Sequence, residues 1–430
     1  MLEAKSDYNR SILDYLNEDC WRVVLNYVPI LDIIRTERVS RRWQRAVLIY
    51  LRGIRFRIIS VDEEYEEKKN NIESHSFIRS LILSWYGRGN KNYDSFAKWT
   101  NKLGASVVAT YCKDLETLKI MKAHCPNLEA LTLLHVYYLP ESREEITPYT
   151  LKEDFKCLKK VCFNGSHASD EYVSQFMGDR ALEELEFKSC YEITGQCLNI
   201  VNISKLKSLV FDICYNLKSQ HIISAMSQLN ELTKLVLNDV PSELCSDIQL
   251  VLNKLAKLEW LEINETTGCV YSHARTDQPS LLHVEPLCQL GNLKYLSIGI
   301  KVTDNVIETV TEGCKELTRL ELSNCEDLSS QAVRAICQNA GVRLTTLGLH
   351  AFDSLTDDDV VLCISGCPKL TCLSISGTDE LTPALLARAA AVRGTLHQQH
   401  RLHFIIRNTN LSFCRKEIQT DYENLILEID

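Results

Sequence analysis

The chain has 430 residues, enough for about three compact domains or one elongated repeat array. Hydrophobic residues make up 45% and charged residues 24%, with few Gly (16) and Pro (9), which excludes disordered, collagen-like and low-complexity readings. A net charge of -9 argues against a general binder of nucleic acid or anionic membrane, and 18 Cys are too few for a small disulfide scaffold.

The opening MLEAKSDYNR has no apolar core, and no run of about 18 apolar residues occurs, so neither a secretory signal nor a membrane span is expected. A cytoplasmic and/or nuclear location is expected in turn, with thiols kept reduced.

Residues 11–51 read as three short helices. Ile12, Leu13, Leu16, Cys20, Val24, Leu25 and Val28 recur at helical spacing, and Pro29 ends that helix. Asp32 is placed to cap a second helix, and Ser40 a third with Trp43, Ala46, Val47 and Tyr50 on one side. About 40 residues can hardly build an adequate core alone. Apolar residues such as Leu16, Val24 and Leu31 are therefore expected to serve partly as an interface. Residues 1–60 carry 11 Lys/Arg against 7 Asp/Glu, whereas the remainder carries 37 against 50. The run Arg35, Arg38, Arg41, Arg42 and Arg45 reads as a solvated face or a contact with an acidic partner. The stretch VDEEYEEKKNN (61–71) reads as a solvated joint.

The pattern L-x-x-L-x-L, with Ile, Val or Phe allowed, covers most of the rest of the chain. An outlying match is Ile78-Leu81-Leu83. Residues 105–124 read as one helix, from Val107, Val108, Tyr111, Leu115, Leu118 and Met121. The phased matches start at Leu128-Leu131-Leu133, Leu158-Val161-Phe163, Leu182-Leu185-Phe187, Leu206-Leu209-Phe211 and Leu232-Leu235-Leu237. They continue as Leu258-Leu261-Ile263, Leu293-Leu296-Ile298, Leu317-Leu320-Leu322, Leu344-Leu347-Leu349 and Leu370-Leu373-Ile375. A degenerate last match has Leu402 and Phe404. Steps between them are 24 to 30 residues, with one of 35 that contains an insertion at 264–286. In L-x-L both apolar residues face one side of a short strand. Each strand is followed by a segment of helical period, such as Val306, Ile307, Val310 and Cys314, or Val333, Ile336 and Cys337. Such units bury their apolar faces only by stacking. The fold class expected is α/β: a short three-helix module, then a curved solenoid with a parallel sheet inside and helices outside.

The cysteines keep phase with this repeat. Cys190, Cys214 and Cys325 each lie three residues after the motif, and Cys125, Cys314 and Cys367 three before it. A small, soft apolar side chain suits a tight layer between repeats. Cys363, Cys367 and Cys372 lack metal-site spacing, and there is no C-x-x-C pair. No P-loop, G-x-S-x-G, H-E-x-x-H or dinucleotide fingerprint occurs. No catalytic residue, metal or cofactor is expected.

Segments such as LTRLELSNCEDLSSQAVRAICQNAG (317–341) and LEELEFKSCYEITGQCL (182–198) resemble the cysteine-containing class of leucine-rich repeats. Val240, Thr266 and Lys301 stand where that class has Cys. The N-terminal segment resembles an F-box through Leu16, the Trp21-Val24-Leu25-Val28 helix, the Leu31-Asp32 step and Val39-Ser40-Arg41-Arg42-Trp43. It departs from the usual Leu-Pro opening, since Leu16 is followed by Asn17. The boundaries read are 11–57 for the F-box, 58–104 for a linker and first irregular repeat, 105–395 for the solenoid and 396–430 for a capping segment.

The double resemblance implies a non-catalytic substrate receptor of an SCF-type cullin-RING ubiquitin ligase. Its F-box would meet a Skp-type adaptor, and through it a cullin and RING subunit. Leu13, Leu16, Trp21, Val24, Leu25, Val28, Leu31, Val39 and Trp43 would form that contact. The alternative is a repeat scaffold that uses its F-box outside a cullin complex. A protein substrate would lie on the concave face, where repeat proteins commonly bind. The residues facing it include Glu186, Lys188, Lys234, Trp260, Glu262, Tyr295, Arg319, Glu321 and His350. Among them Trp260, Tyr295 and Arg319, on consecutive strands, are of the types most often found as binding hot spots.

Overall fold

A computed structural model describes residues 18–27, 43, 47, 50, 55–60, 78–83, 107–112, 115–134, 154–165, 168–265, 287–396, 401–409, 411 and 423–429. The chain divides into two compact units, one of residues 1–139 with 151–164, the other of residues 165–430 with 140–150.

The first described element of the first unit is helix α1 (Glu18–Asn26). Trp43, Val47 and Tyr50 are also helical, and their i, i+4, i+7 spacing puts them on one face. Val47 and Tyr50 are buried, as is Leu25 of α1. Trp21 meets Trp43 edge-to-face with ring centroids 5.3 Å apart. Edge-to-face contact of this kind adds about 0.5–1.5 kcal/mol beyond area burial. Strands β1 (Arg55–Ser60), β2 (Ile78–Leu83), β3 (Val107–Cys112), β4 (Ala130–Leu134) and β5 (Lys160–Asn164) come next, with helix α2 (Leu115–His124) between β3 and β4. They pair in parallel in the order β2-β1-β3-β4-β5.

One expectation fails here. Residues 105–124 are not a single helix: 107–112 form β3, and only Leu115 onward is helical. In β3, Thr110 and Cys112 take the register positions of Leu131 and Leu133. A repeat strand is thus written in β-branched and small residues, without leucine.

The second unit holds ten parallel strands paired in chain order among the described residues. They are β6 (Glu184–Lys188), β7 (Ser208–Asp212), β8 (Lys234–Val240), β9 (Trp260–Glu265), β10 (Tyr295–Gly299), β11 (Arg319–Leu322), β12 (Thr346–His350), β13 (Cys372–Thr378), β14 (Leu402–Thr409) and β15 (Leu425–Ile429). Helices α3 (Asp170–Met177), α4 (Ser219–Met226), α5 (Ser242–Asp247), α6 (Asp304–Gly313), α7 (Ser330–Asn339), α8 (Asp357–Gly366) and α9 (Ala384–Thr395) alternate with strands, with 3-10 turns at Gln196–Asn199 and Ile248–Lys254.

The motif leucines form continuous rows. Leu185, Leu209, Leu235, Leu261, Leu296, Leu320, Leu347 and Leu373 are mutual register partners, and all are buried. Truncating one to Ala costs about 2–5 kcal/mol. The last repeats differ from the sequence reading. Phe404 and Ile406, not Leu402 and Phe404, pair with Leu373 and Ile375, and β15 adds a further strand. Cys125, Cys190, Cys214, Cys314, Cys325, Cys363 and Cys367 are all buried free thiols, as the repeat phase requires. Val240, the last residue of β8, fills the cysteine position of its repeat and is equally buried.

Two devices recur between repeats. First, an Asp opening one helix accepts from a hydroxyl residue of the next repeat. The Asp170 carboxylate takes the Thr194 N–H (2.9 Å) and hydroxyl (2.7 Å). Asp304 does the same to Ser329 (2.9 and 2.5 Å) and Asp357 to Thr382 (2.9 and 2.6 Å). Second, the chain leaves many strands through one left-handed residue: Gly165, Ser189, Ile213, Asp239, Ala351, Gly377 and Asn408. Ser189, Ile213 and Ala351 each donate their N–H to the following strand, to the carbonyls of Asp212, Asn238 and Ser376.

Candidate functional site

Two surfaces carry binding chemistry. The first is the outer side of α1. Cys20, Val23, Val24 and Tyr27 are exposed, and their spacing puts them on one helical stripe, with Tyr27 86% exposed. Trp21 and Leu25 occupy the inner side. Leu25 is 1% exposed and supports this helix from within. Val23 and Tyr27 were missed by the sequence reading, although the i, i+3, i+4, i+7 series from Cys20 carries the signal. Leu13, Leu16, Val28, Leu31 and Val39 lie outside the described residues.

The second surface is the sheet face of the second unit, opposite the motif leucines. One register row reads Lys234, Trp260, Tyr295, Arg319, Thr346 across β8 to β12. The Trp260 and Tyr295 rings stack with centroids 3.9 Å apart. The Lys234 ammonium lies 4.8 Å from the Trp260 ring centre, and the Arg319 guanidinium 4.9 Å from that of Tyr295. The two rings thus stack on each other, with Lys234 against Trp260 and the Arg319 guanidinium beside both rings, 5.5 Å from the Trp260 centre. Each cation–ring contact is worth about 0.5–2 kcal/mol.

The next row supplies carboxylates. Glu262 accepts from the Trp260 indole N–H (2.5 Å) and the Asn238 amide (3.0 Å). Asn264 in turn donates to Asn238 (2.6 Å). Glu321 leans over Gly348, where a Cβ would fall 1.8 Å from its carboxylate. It approaches the His350 ring to 3.7 Å, and the other His350 nitrogen meets the Ser376 hydroxyl at 2.8 Å. Farther along, Glu186 is nearly buried and pairs with Lys188 at 3.3 Å. Burial, reinforced by Glu262 and Glu321, pushes the Tyr295 hydroxyl well above the usual phenol range, against the pull of Arg319. It stays a neutral donor at physiological pH. All nine residues read as lining this face do lie on it; Trp260, Glu262, Tyr295 and Arg319 join in one network, whereas Glu186 and Lys188 form a separate pair. Strand alternation already marks Asn238, Asn264 and Gly348 as residues of this face, whereas Ser376 and the bonds that join these residues emerge only from the structure.

The chain thus combines a helical module that has an outward apolar stripe with parallel α/β repeats that have a polar and aromatic sheet face. Comparison gives the module its family: residues 13–52 match the F-box domain, and the chain carries an F-box there. Two curated relatives align with the chain. One is DNA repair protein rhp7 of Schizosaccharomyces pombe, 24% identical over 69% of this chain and 53% of the relative. The other is a putative RNA-binding protein of Caenorhabditis elegans, 19% identical over 72% of this chain and 39% of the relative. The matched region therefore spans about half of these relatives or less. A chain from the crystal structure of the yeast Rad7 and Elc1 complex has a similar fold, with a TM-score of 0.53 at 17% identity, over 85% of this chain and 89% of that chain.

Proposed function

We propose that this chain is the substrate-recognition subunit of an SCF-type E3 ubiquitin ligase. The F-box docks on a Skp-type adaptor, which links it to a cullin and RING subunit. The sheet face of the repeats holds a protein substrate near the conjugating enzyme. The chain itself does no chemistry; it raises the local concentration of substrate lysines. The observation that carries this reading is the presence, in one chain, of an F-box and a preorganised aromatic and charged docking face. The Rad7 and Elc1 complex supports a stable protein partner for chains of this fold. The name of the rhp7 relative supports a nuclear place of work and substrates met during DNA repair.

Co-purification with the adaptor and cullin tests the first half. Val23→Asp with Val24→Asp is expected to abolish it while the circular dichroism spectrum is kept, because both side chains are exposed. Unchanged capture would remove α1 from the interface. Reconstitution with cullin and conjugating enzyme tests the second half. A chain that binds the adaptor yet directs no cullin-dependent ubiquitination is the scaffold alternative. Trp260→Ala and Tyr295→Ala are each expected to weaken substrate capture about 10- to 100-fold, the loss typical of a binding hot spot, with adaptor binding intact.

A further inference from the structure

The C-terminal ends of α7 and α8 approach through two glycines. A Cβ on Gly341 would fall 2.2 Å from the Gly366 carbonyl oxygen. One on Gly366 would fall 2.8 Å from the Cys337 Cβ and 3.0 Å from its sulfur. No other residue type permits so close a meeting. Gly366 is flanked by two thiols, Cys363 within the last turn of α8 and Cys367 at its C-cap. The Cys367 N–H bonds the Cys363 carbonyl (3.0 Å), which fixes both on that last turn. Cys337 rests in the notch between them. Its thiol donates to the carbonyl oxygen of Leu362, the residue before Cys363 (3.6 Å). Cys363 and Cys367 are buried, whereas Cys337 is only partly so. A small solute therefore reaches Cys337 first, and two further thiols stand behind it.

We propose that Cys337, Cys363 and Cys367 form an oxidation site, in which a hydroperoxide attacks Cys337 and a buried neighbour closes a disulfide between α7 and α8. In the first step the Cys337 thiolate sulfur bonds the outer peroxide oxygen. The O–O bond breaks and the alkoxide or hydroxide leaves, taking a proton to become alcohol or water. Cys337 is then a sulfenic acid. In the second step the sulfur of Cys363 or Cys367 attacks the Cys337 sulfur. The S–O bond breaks, and the oxygen departs as water with the proton of the attacking thiol. Two thiols are oxidised and one peroxide is reduced. The neighbouring Cys363 and Cys367 thiols favour the thiolate of Cys337, holding its pKa below the usual thiol range against the opposing effect of burial. In a reducing compartment such a bond is transient and signals oxidant. It would tie together the two repeats that carry Arg319, Glu321 and His350.

The test uses the full chain, reduced, freed of reductant, and treated with equimolar hydrogen peroxide before alkylation and peptide mass mapping. Exposed Cys20 and Cys157 serve as internal controls. Cys337 is expected to react at least about tenfold faster than either, as a stabilised thiolate does. A crosslinked peptide pair joining Cys337 to Cys363 or Cys367 is expected to accumulate. Cys337→Ser removes the crosslink. Cys363→Ser with Cys367→Ser arrests the reaction at a sulfenic acid that dimedone traps on Cys337. A wild-type chain in which Cys337 reacts no faster than Cys20 and Cys157, and in which no such crosslink forms, overturns the proposal. So does a crosslink that persists in Cys337→Ala.

Discussion

Single residues on the sheet face carry opposite electrostatic burdens. Burial is the main cause that raises the Asp212 carboxyl above the ordinary range, with Asp239, Glu262 and Glu186 adding to it and Lys188 opposing. A carboxyl raised on folding contributes stability that is present below its unfolded value of about 3.9 and is lost as pH rises through the folded value. Asp212→Asn is therefore expected to raise the melting temperature at pH 7 and to leave it unchanged near pH 3. Equal melting at both values would show that Lys188 neutralises the site. A second single-residue cost is backbone strain. Ala351 adopts φ of 51° at the strand exit, where an L side chain costs about 1–2 kcal/mol. Ala351→Gly is expected to raise stability by about 1 kcal/mol in chemical denaturation. The neighbouring repeat already uses Gly377 at the same step.

At the scale of elements, the Asp-to-hydroxyl bonds set how one repeat sits on the next. Asp170 accepts from the Thr194 N–H, the Thr194 hydroxyl and the Cys197 N–H (2.8 Å). Burial pushes its pKa up, but those three donors outweigh it and hold the carboxyl below the ordinary range. Asp170→Ala strands partly buried donors and is expected to cost about 1–3 kcal/mol, measured by urea titration at neutral pH. Because the folded pKa is depressed, this contribution is present above the unfolded value and fades as pH falls through the folded one. The wild-type advantage over Asp170→Ala should therefore shrink on the acid side of about pH 4. A constant difference down to pH 2 would place the stabilisation elsewhere. These elements also show what the sequence encodes. Leucine spacing alone located eight of the ten strands of the second unit in correct register, because a buried row accepts only apolar side chains. It missed β3, whose row positions are Thr110 and Cys112, since Val107 and Val108 suit strand and helix patterns alike over so short a run. It set the last pair two residues early, because Leu402, Phe404 and Ile406 alternate without a break. The docking face was legible in its large members, Trp260, Tyr295 and Arg319. The cluster they form with Lys234 was not, because these contacts depend on four strands meeting in register across sequence gaps of 26, 35 and 24 residues.

For the molecule as a whole, a repeat array has no central core, and each unit is held by its neighbours. Its ends are therefore where stability is most exposed. The segment after α9 supplies β14 and β15, whose Leu402, Phe404, Ile406, Leu425 and Ile429 are all buried. Two ties fasten this segment to the preceding repeat. His403 donates its N–H to the Thr371 carbonyl (2.9 Å), and Phe404 continues the row of Leu373. Ending the chain at Thr395 would bare the β13 edge and the apolar row behind it. An uncovered edge of this kind invites pairing with another chain. The truncated protein is expected to unfold at lower denaturant concentration, to lose several kcal/mol, and to elute as aggregate on size exclusion. A monomeric truncation with an unchanged midpoint would mean that β13 closes the array unaided, and that β14 and β15 serve binding rather than stability.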